Sequence, residues 1–249
     1  MPISRASSST LTNSPSISLV FTTSEPGKTY CTLDGGTVAE CVSPFAANGL
    51  SEGAHTVAIF GTDSANNASA PATFSWNIDM TAPQAAFIAI DPAQAVTRSS
   101  DVSFQFGAGE TATFECSLDH ESFQSCSSPK LLSSLGEGEH WFEVRATDLA
   151  GNRGPVASHA WRLDLTAPQL SAGNVQPANG AATSAGNVSV EFFADEMASF
   201  SCQLDSAPAA PCASPFVAAI DGEGSHQVTV IATDIAGNNS GPLSVSWSM

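Results

Sequence analysis

The chain has 249 residues, of which 42% are hydrophobic and 12% charged. Seven Lys and Arg stand against 24 Asp and Glu, a net charge of −17. So few basic residues exclude nucleic-acid and anionic-membrane surfaces, which need a positive patch; the balance suits solubility in salt or the binding of cations. The hydrophobic share excludes disorder, and no run of about 18 apolar residues could span a bilayer.

Length alone suggests one or two domains, but an internal repeat raises the number to three. Residues 1–16 align with 86–101 and should carry a strand around Pro2–Ser4 and then a polar Ser/Thr loop. Ile17, Leu19 and Phe21 alternate with polar residues, as do Val102, Phe104 and Phe106, and Val188, Val190 and Phe192. A Cys-x-Leu-Asp string follows at Cys31, Cys116 and Cys202, spaced by 85 and 86 positions. Each has a second Cys ten positions on, at Cys41, Cys126 and Cys212. Then come a Gly-x-His at His55, His140 and His226, and a turn from Asp63, Asp148 and Asp234 to Asn67, Asn152 and Asn238. Trp76, Trp161 and Trp247 close the repeats. Thr81-Ala82-Pro83 and Thr166-Ala167-Pro168 open the next ones, giving the boundaries 1–79, 80–164 and 165–249. Proline fixes φ and extends the residue before it, so these linkers are short and stiff.

The apolar period is two throughout, and no segment reads as an amphipathic helix. About seven short strands per repeat predict an all-β protein: three tandem immunoglobulin-like antiparallel β-sandwiches, in an extended rod on the order of 100 Å long. The cysteines lack the clustered spacing of a zinc site. One pair per repeat, Cys31–Cys41, Cys116–Cys126 and Cys202–Cys212, predicts three local disulfides and an oxidising compartment. Each closes a loop of about 11 residues, worth roughly 2.5–3 kcal/mol. Met1-Pro2-Ile3-Ser4 has no charged or apolar signal region, so the chain reads as a segment of a longer secreted protein.

The string Phe114-Glu115-Cys116-Ser117-Leu118-Asp119, with Glu137-Gly138-Glu139-His140, Ala146-Thr147-Asp148-Leu149-Ala150-Gly151-Asn152 and Asp164-Leu165-Thr166-Ala167-Pro168, resembles the tandem Ig-like repeats of large bacterial surface and secreted proteins, including the extender regions of giant adhesins. The resemblance covers the whole chain. It implies a non-enzymatic stalk at the cell surface or outside the cell, flanked by further Ig-like domains. Its local disulfide differs from the inter-sheet bridge of antibody domains, so antibody-like recognition is not expected.

With the strands of a repeat lettered A to G in order and each reversing direction, the B–C and F–G loops lie at the pole where the chain enters the repeat. In the middle repeat this gathers Glu110, Asp148 and Asn152 beside Asp79; in the last it gathers Asp195, Glu196, Asp234 and Asn238 beside Asp164. Glu52, or Glu137 and Glu139, add carboxylates from the preceding repeat. Convergent hard oxygens suit Ca²⁺, and the resemblance implies calcium at such junctions. Turn chemistry is the competing reading: an Asp caps backbone N–H groups and Gly or Asn supplies positive φ. It leaves Glu25, Glu110 and Glu196, and Asp79 and Asp164, without a role.

The repeat period places His55, His140 and His226 in separate domains, too far apart in space for one zinc site, and each is expected to fill the corner before strand F. The closing tryptophans are expected in the core. Trp141 has the opposite parity to His140 and Phe142; an exposed ring there is a candidate contact for a cell-surface glycan or protein. The triplets at Asn67, Asn187 and Asn238 match glycosylation acceptors by chance in a bacterial-looking chain. No catalytic constellation is visible. The alternative function is an adhesion module whose middle repeat, richest in basic residues, recognises a glycan or protein.

Overall fold

The computed structural model describes the backbone of residues 3–5 and all of residues 10–249. The expected first strand is present in its described part, β1 (Ile3–Arg5), while the Ser/Thr loop at 6–9 lies outside the described residues. The first repeat continues with β2 (Leu11–Thr12), β3 (Ile17–Leu19), β4 (Phe21–Thr23), β5 (Gly27–Leu33), β6 (Ala39–Cys41), β7 (Phe45–Ala47), β8 (Gly53–Asp63) and β9 (Ala72–Ile78). The middle repeat holds β10 (Ala86–Asp91), β11 (Val96–Thr97), β12 (Val102–Gly107), β13 (Ala112–Leu118), β14 (Gln124–Cys126), β15 (Lys130–Leu132), β16 (Gly138–Asp148) and β17 (Ala157–Leu163). The last holds β18 (Leu170–Gln176), β19 (Asn187–Ala194), β20 (Ala198–Leu204), β21 (Ala210–Cys212), β22 (Phe216–Ala219), β23 (Ser225–Asp234) and β24 (Leu243–Ser248). The described residues contain no helix.

The sheet order β2-β9-β8-β5-β6 recurs as β11-β17-β16-β13-β14, and as β24-β23-β20-β21 in the last repeat. Opposite these lie β3-β7, β10-β12-β15 and β18-β19-β22. Pairing is antiparallel except where β2 runs parallel to β9 and β11 to β17; a parallel bridge from Ala182 to Ser248 takes that place in the last repeat. This is the Ig-like sandwich expected from the alternating pattern.

Contacts gather the chain into two compact units, and the division runs through the middle repeat. One comprises residues 1–88, 105–128 and 142–158, the other 89–104, 129–141 and 159–249. The first is built on Leu19, Phe21, Val57, Ile59, Trp76 and Ile78. There Phe106 also packs edge-on against Phe114, with centroids 5.2 Å apart. The second is built on Val188, Val190, Phe192, Val228, Val230 and Trp247, with Phe104 against Trp161 at 5.3 Å. These are the residues whose period-two spacing marks an inward face. Trp76, Trp161 and Trp247 are buried, as expected.

All three disulfides form as expected, across the hairpins β5–β6, β13–β14 and β20–β21, with Cα atoms 5.7–5.9 Å apart. Converting Cys116 and Cys126 together to Ser should lower stability by about 2–5 kcal/mol in denaturant unfolding. Thiol titration of the denatured, unreduced chain should find no free thiol.

Candidate functional site: two linker joints

The linkers are gripped from both sides by the same residue types. In the first joint Glu52, in the loop before β8, takes the Thr81 hydroxyl at 2.9 and 3.0 Å. Asp79 accepts the Thr81 N–H through Oδ1 at 3.1 Å. From the following repeat, the Asn152 amide nitrogen donates to the Asp79 carbonyl at 2.7 Å. In the second joint Glu137 takes the Thr166 hydroxyl at 2.8 and 2.9 Å, and Asp164 accepts the Thr166 N–H at 3.2 Å. Asn238 donates to the Asp164 carbonyl at 2.8 Å. Pro83 and Pro168 are buried. Gly154 has no room for a side chain, because a Cβ there would overlap the Pro83 carbonyl.

The F–G turn places these asparagines. Asp148 Oδ1 accepts the Gly151 and Asn152 N–H groups at 2.7 and 2.8 Å, and its Oδ2 accepts the Asn152 amide at 2.8 Å. Asp234 binds Asn238 in the same way. Gly151 and Gly237 take positive φ, 95° and 92°, which a glycine adopts freely. Burial pushes the Asp148 and Asp234 carboxyls up, but the asparagine side chains and turn N–H groups outweigh it and hold both below the ordinary 3.8. Asp63 makes the equivalent turn with Asn67 in the first repeat. Turn capping is therefore present at all three F–G loops. It occupies the amides of Asn67 and Asn238, two of the three glycosylation triplets; Asn187 is exposed in β19.

Of the carboxylates expected to converge, the structure brings together Asp79, Glu110 and Asp148, and separately Asp164, Glu196 and Asp234. In each group, one ligand atom per residue lies within 4.8 Å of the others. Asp148, Asp164 and Asp234 are buried, while Glu110 and Glu196 are exposed. Glu52 and Glu137 instead face the linker threonines, Glu139 is exposed on β16, and Asp195 Oδ1 caps the Gln169 N–H at 2.8 Å. Asn152 and Asn238 turn their amide nitrogens to the joint. The two groups are not alike: Arg162 Nη2 lies 3.8 Å from Asp164 Oδ2, where the first joint has Asn77. Even so, desolvation and the charges of Asp164, Asp234 and Asp195 hold the Glu196 carboxyl above its ordinary value against the pull of Arg162.

The repeat corners carry a pairing that the sequence reading missed. His55 Nδ1 lies 2.7 Å from Asp34 Oδ2, and His226 Nδ1 lies 2.9 Å from Asp205 Oδ2. Asp34 and Asp205 sit at positive φ and also accept the N–H of Thr56 and Gln227. The available signal was the fixed 21-residue spacing of Leu-Asp and His in the repeats. His140, like the other two, is buried and fills the expected corner. Trp141 is half-buried, so it does not stand clear of the surface as its parity suggested.

No protein-family model and no curated protein matches the sequence. Among solved structures, a study of host cell surface retention of a 1.5-MDa bacterial ice-binding adhesin gives a TM-score of 0.44 at 14% identity, covering 96% of this chain and 92% of that one. The FN1–FN3 domains of chicken CNTN1 give 0.42 at 8% identity, covering 100% and 97%. The fibronectin(III)-like modules of Clostridium thermocellum CbhA give 0.40 at 16%, covering 67% and 94%. All three likenesses are weak, and the fold assignment rests on the strand order, register and core described above.

Asn152→Ala removes a turn cap and a linker contact together and should lower stability by about 1–3 kcal/mol, read by urea unfolding. The stability given by Asp148 and Asp234 is present in full above pH 3.8 and is lost as pH falls through their lowered folded values. Acid titration of the melting temperature checks that sign: Asp148→Asn should flatten the fall.

Proposed function

We propose that this chain is a non-enzymatic stalk segment of a bacterial surface adhesin, made of three Ig-like repeats at 1–79, 80–164 and 165–249. It would present a binding region borne elsewhere on a longer extracellular chain. The observation that carries this reading is the joint itself. Linkers that only tethered domains would not repeat the same Glu–Thr, Asp–Thr and Asn–carbonyl contacts at both junctions. The three disulfides support an oxidising, extracellular setting. Expressed singly, the repeats should fold alone and stay silent in glycan and cell-surface binding screens.

A second reading rests on the middle repeat, where Arg145 lies 4.0 Å over the Phe123 ring and pairs with Glu115 at 2.9 Å. The aligned position holds Phe60 in the first repeat and Ile231 in the last. Selective binding by the middle repeat alone would replace the stalk with an adhesion module for a glycan or protein.

Calcium at the joints belongs to the same proposal. Three carboxylates held within 4.8 Å repel one another unless a cation neutralises them. Calcium should raise the melting temperature and chelator should lower it. Glu196→Gln should stabilise the calcium-free protein, by relieving that repulsion, and should diminish the calcium response. A melt unmoved by calcium would leave the carboxylates as turn caps and surface charge.

A further inference from the structure

The corner histidines are wired to the linkers. His55 Nε2 lies 2.8 Å from the Ser51 carbonyl, while Nδ1 faces Asp34. A carbonyl oxygen only accepts, and so does the Asp34 carboxylate, whose bonds to His55 and the Thr56 N–H favour its ionised form, so both ring nitrogens donate. That describes an imidazolium. Its ring lies over Trp76 with centroids 5.8 Å apart, a face that favours a cation. The residue after Ser51 is Glu52, the one that holds the Thr81 hydroxyl.

The wiring recurs. His140 Nε2 lies 2.8 Å from the Gly136 carbonyl, beside Glu137 and its grip on Thr166, with the ring 5.4 Å from Trp161. His226 faces Asp205 and the Gly222 carbonyl, with Trp247 stacked at 6.0 Å and Asp221 and Glu223 flanking the loop.

We propose that the corner histidine is a proton-dependent latch: when protonated it pins the loop whose glutamate grips the linker, and when deprotonated it lets that loop go. A neutral imidazole donates from one nitrogen only. The ionised carboxylate of Asp34 keeps the proton on Nδ1, so the Nε2 lone pair is turned toward the Ser51 oxygen, and the bond lost is the one that positions Glu52. The charged groups around the first latch are Asp34 at the end of β5 and Glu52 in the loop. The Asp34 bond and then the Ser51 bond raise the His55 pKa above its ordinary 6.5. The latch is therefore closed in full below that value and opens as pH rises through the raised one.

The test uses the full chain labelled at histidine rings and threonine methyls, followed by NMR from about pH 6 to about pH 10. His55 and His226 should titrate above about 6.5, the ordinary value. The Thr81 methyl order parameter should fall with the midpoint of His55. Asp34→Asn should shift the His55 midpoint down by about one pH unit or more, leave His226 unmoved, and carry the Thr81 transition down with it. A wild-type His55 titrating at or below its ordinary value would overturn the latch, as would a Thr81 methyl that stays rigid through the His55 transition. Neither readout depends on the variant folding.

Discussion

The Asn152 and Asn238 amides tie each linker to the repeat that follows it. Each is fixed inside its own turn by an aspartate and reaches out to the carbonyl of the linker aspartate. A buried or half-buried carbonyl without a donor is costly, so linker and turn are ordered together. Here a hairpin's own capping chemistry also serves as the clasp for its neighbour. The remaining contacts gather around that position: the proline is buried, the threonine is capped by its own aspartate, and a glutamate closes the other side.

This bears on how so acidic a chain folds with only seven Lys and Arg. Among the described residues, the joint and corner carboxylates are met by backbone N–H groups, hydroxyls, amides and imidazoles more than by Lys or Arg. Asp148 and Asp234 take turn N–H groups, Glu52 and Glu137 take hydroxyls, and Asp34 and Asp205 take an imidazole and an N–H. A carboxylate with two or three donors is stable without a counter-charge. Glu110 and Glu196 differ in being placed against two other carboxylates each, which is why a cation is proposed there.

Much of the architecture was legible because it depends on local pattern. Alternation at Val102, Phe104 and Phe106 marks an inward face, and one Cys pair per repeat at the same short spacing points to a local loop. The convergence of Asp79, Glu110 and Asp148 followed from strand reversal alone. What escaped were contacts that depend on which strands neighbour each other and where side chains point. Asp34 meets His55 because the end of β5 lies beside the start of β8. Glu52 faces Thr81 across 29 residues of sequence, so it was grouped with the clustered carboxylates instead. The pattern suits Asn152 as an oxygen ligand, yet its amide nitrogen makes the contacts at the joint. Arg162 beside Asp164 had no counterpart in the other repeats to reveal it.

The claim that the linkers are built elements is tested most directly by backbone ¹⁵N relaxation across residues 79–84 and 164–169. Order parameters near about 0.85, equal to those of the flanking strands, are the result expected of clasped joints. Values below about 0.6 at Thr81 and Thr166, with rigid strands on either side, would show flexible tethers and contradict the account.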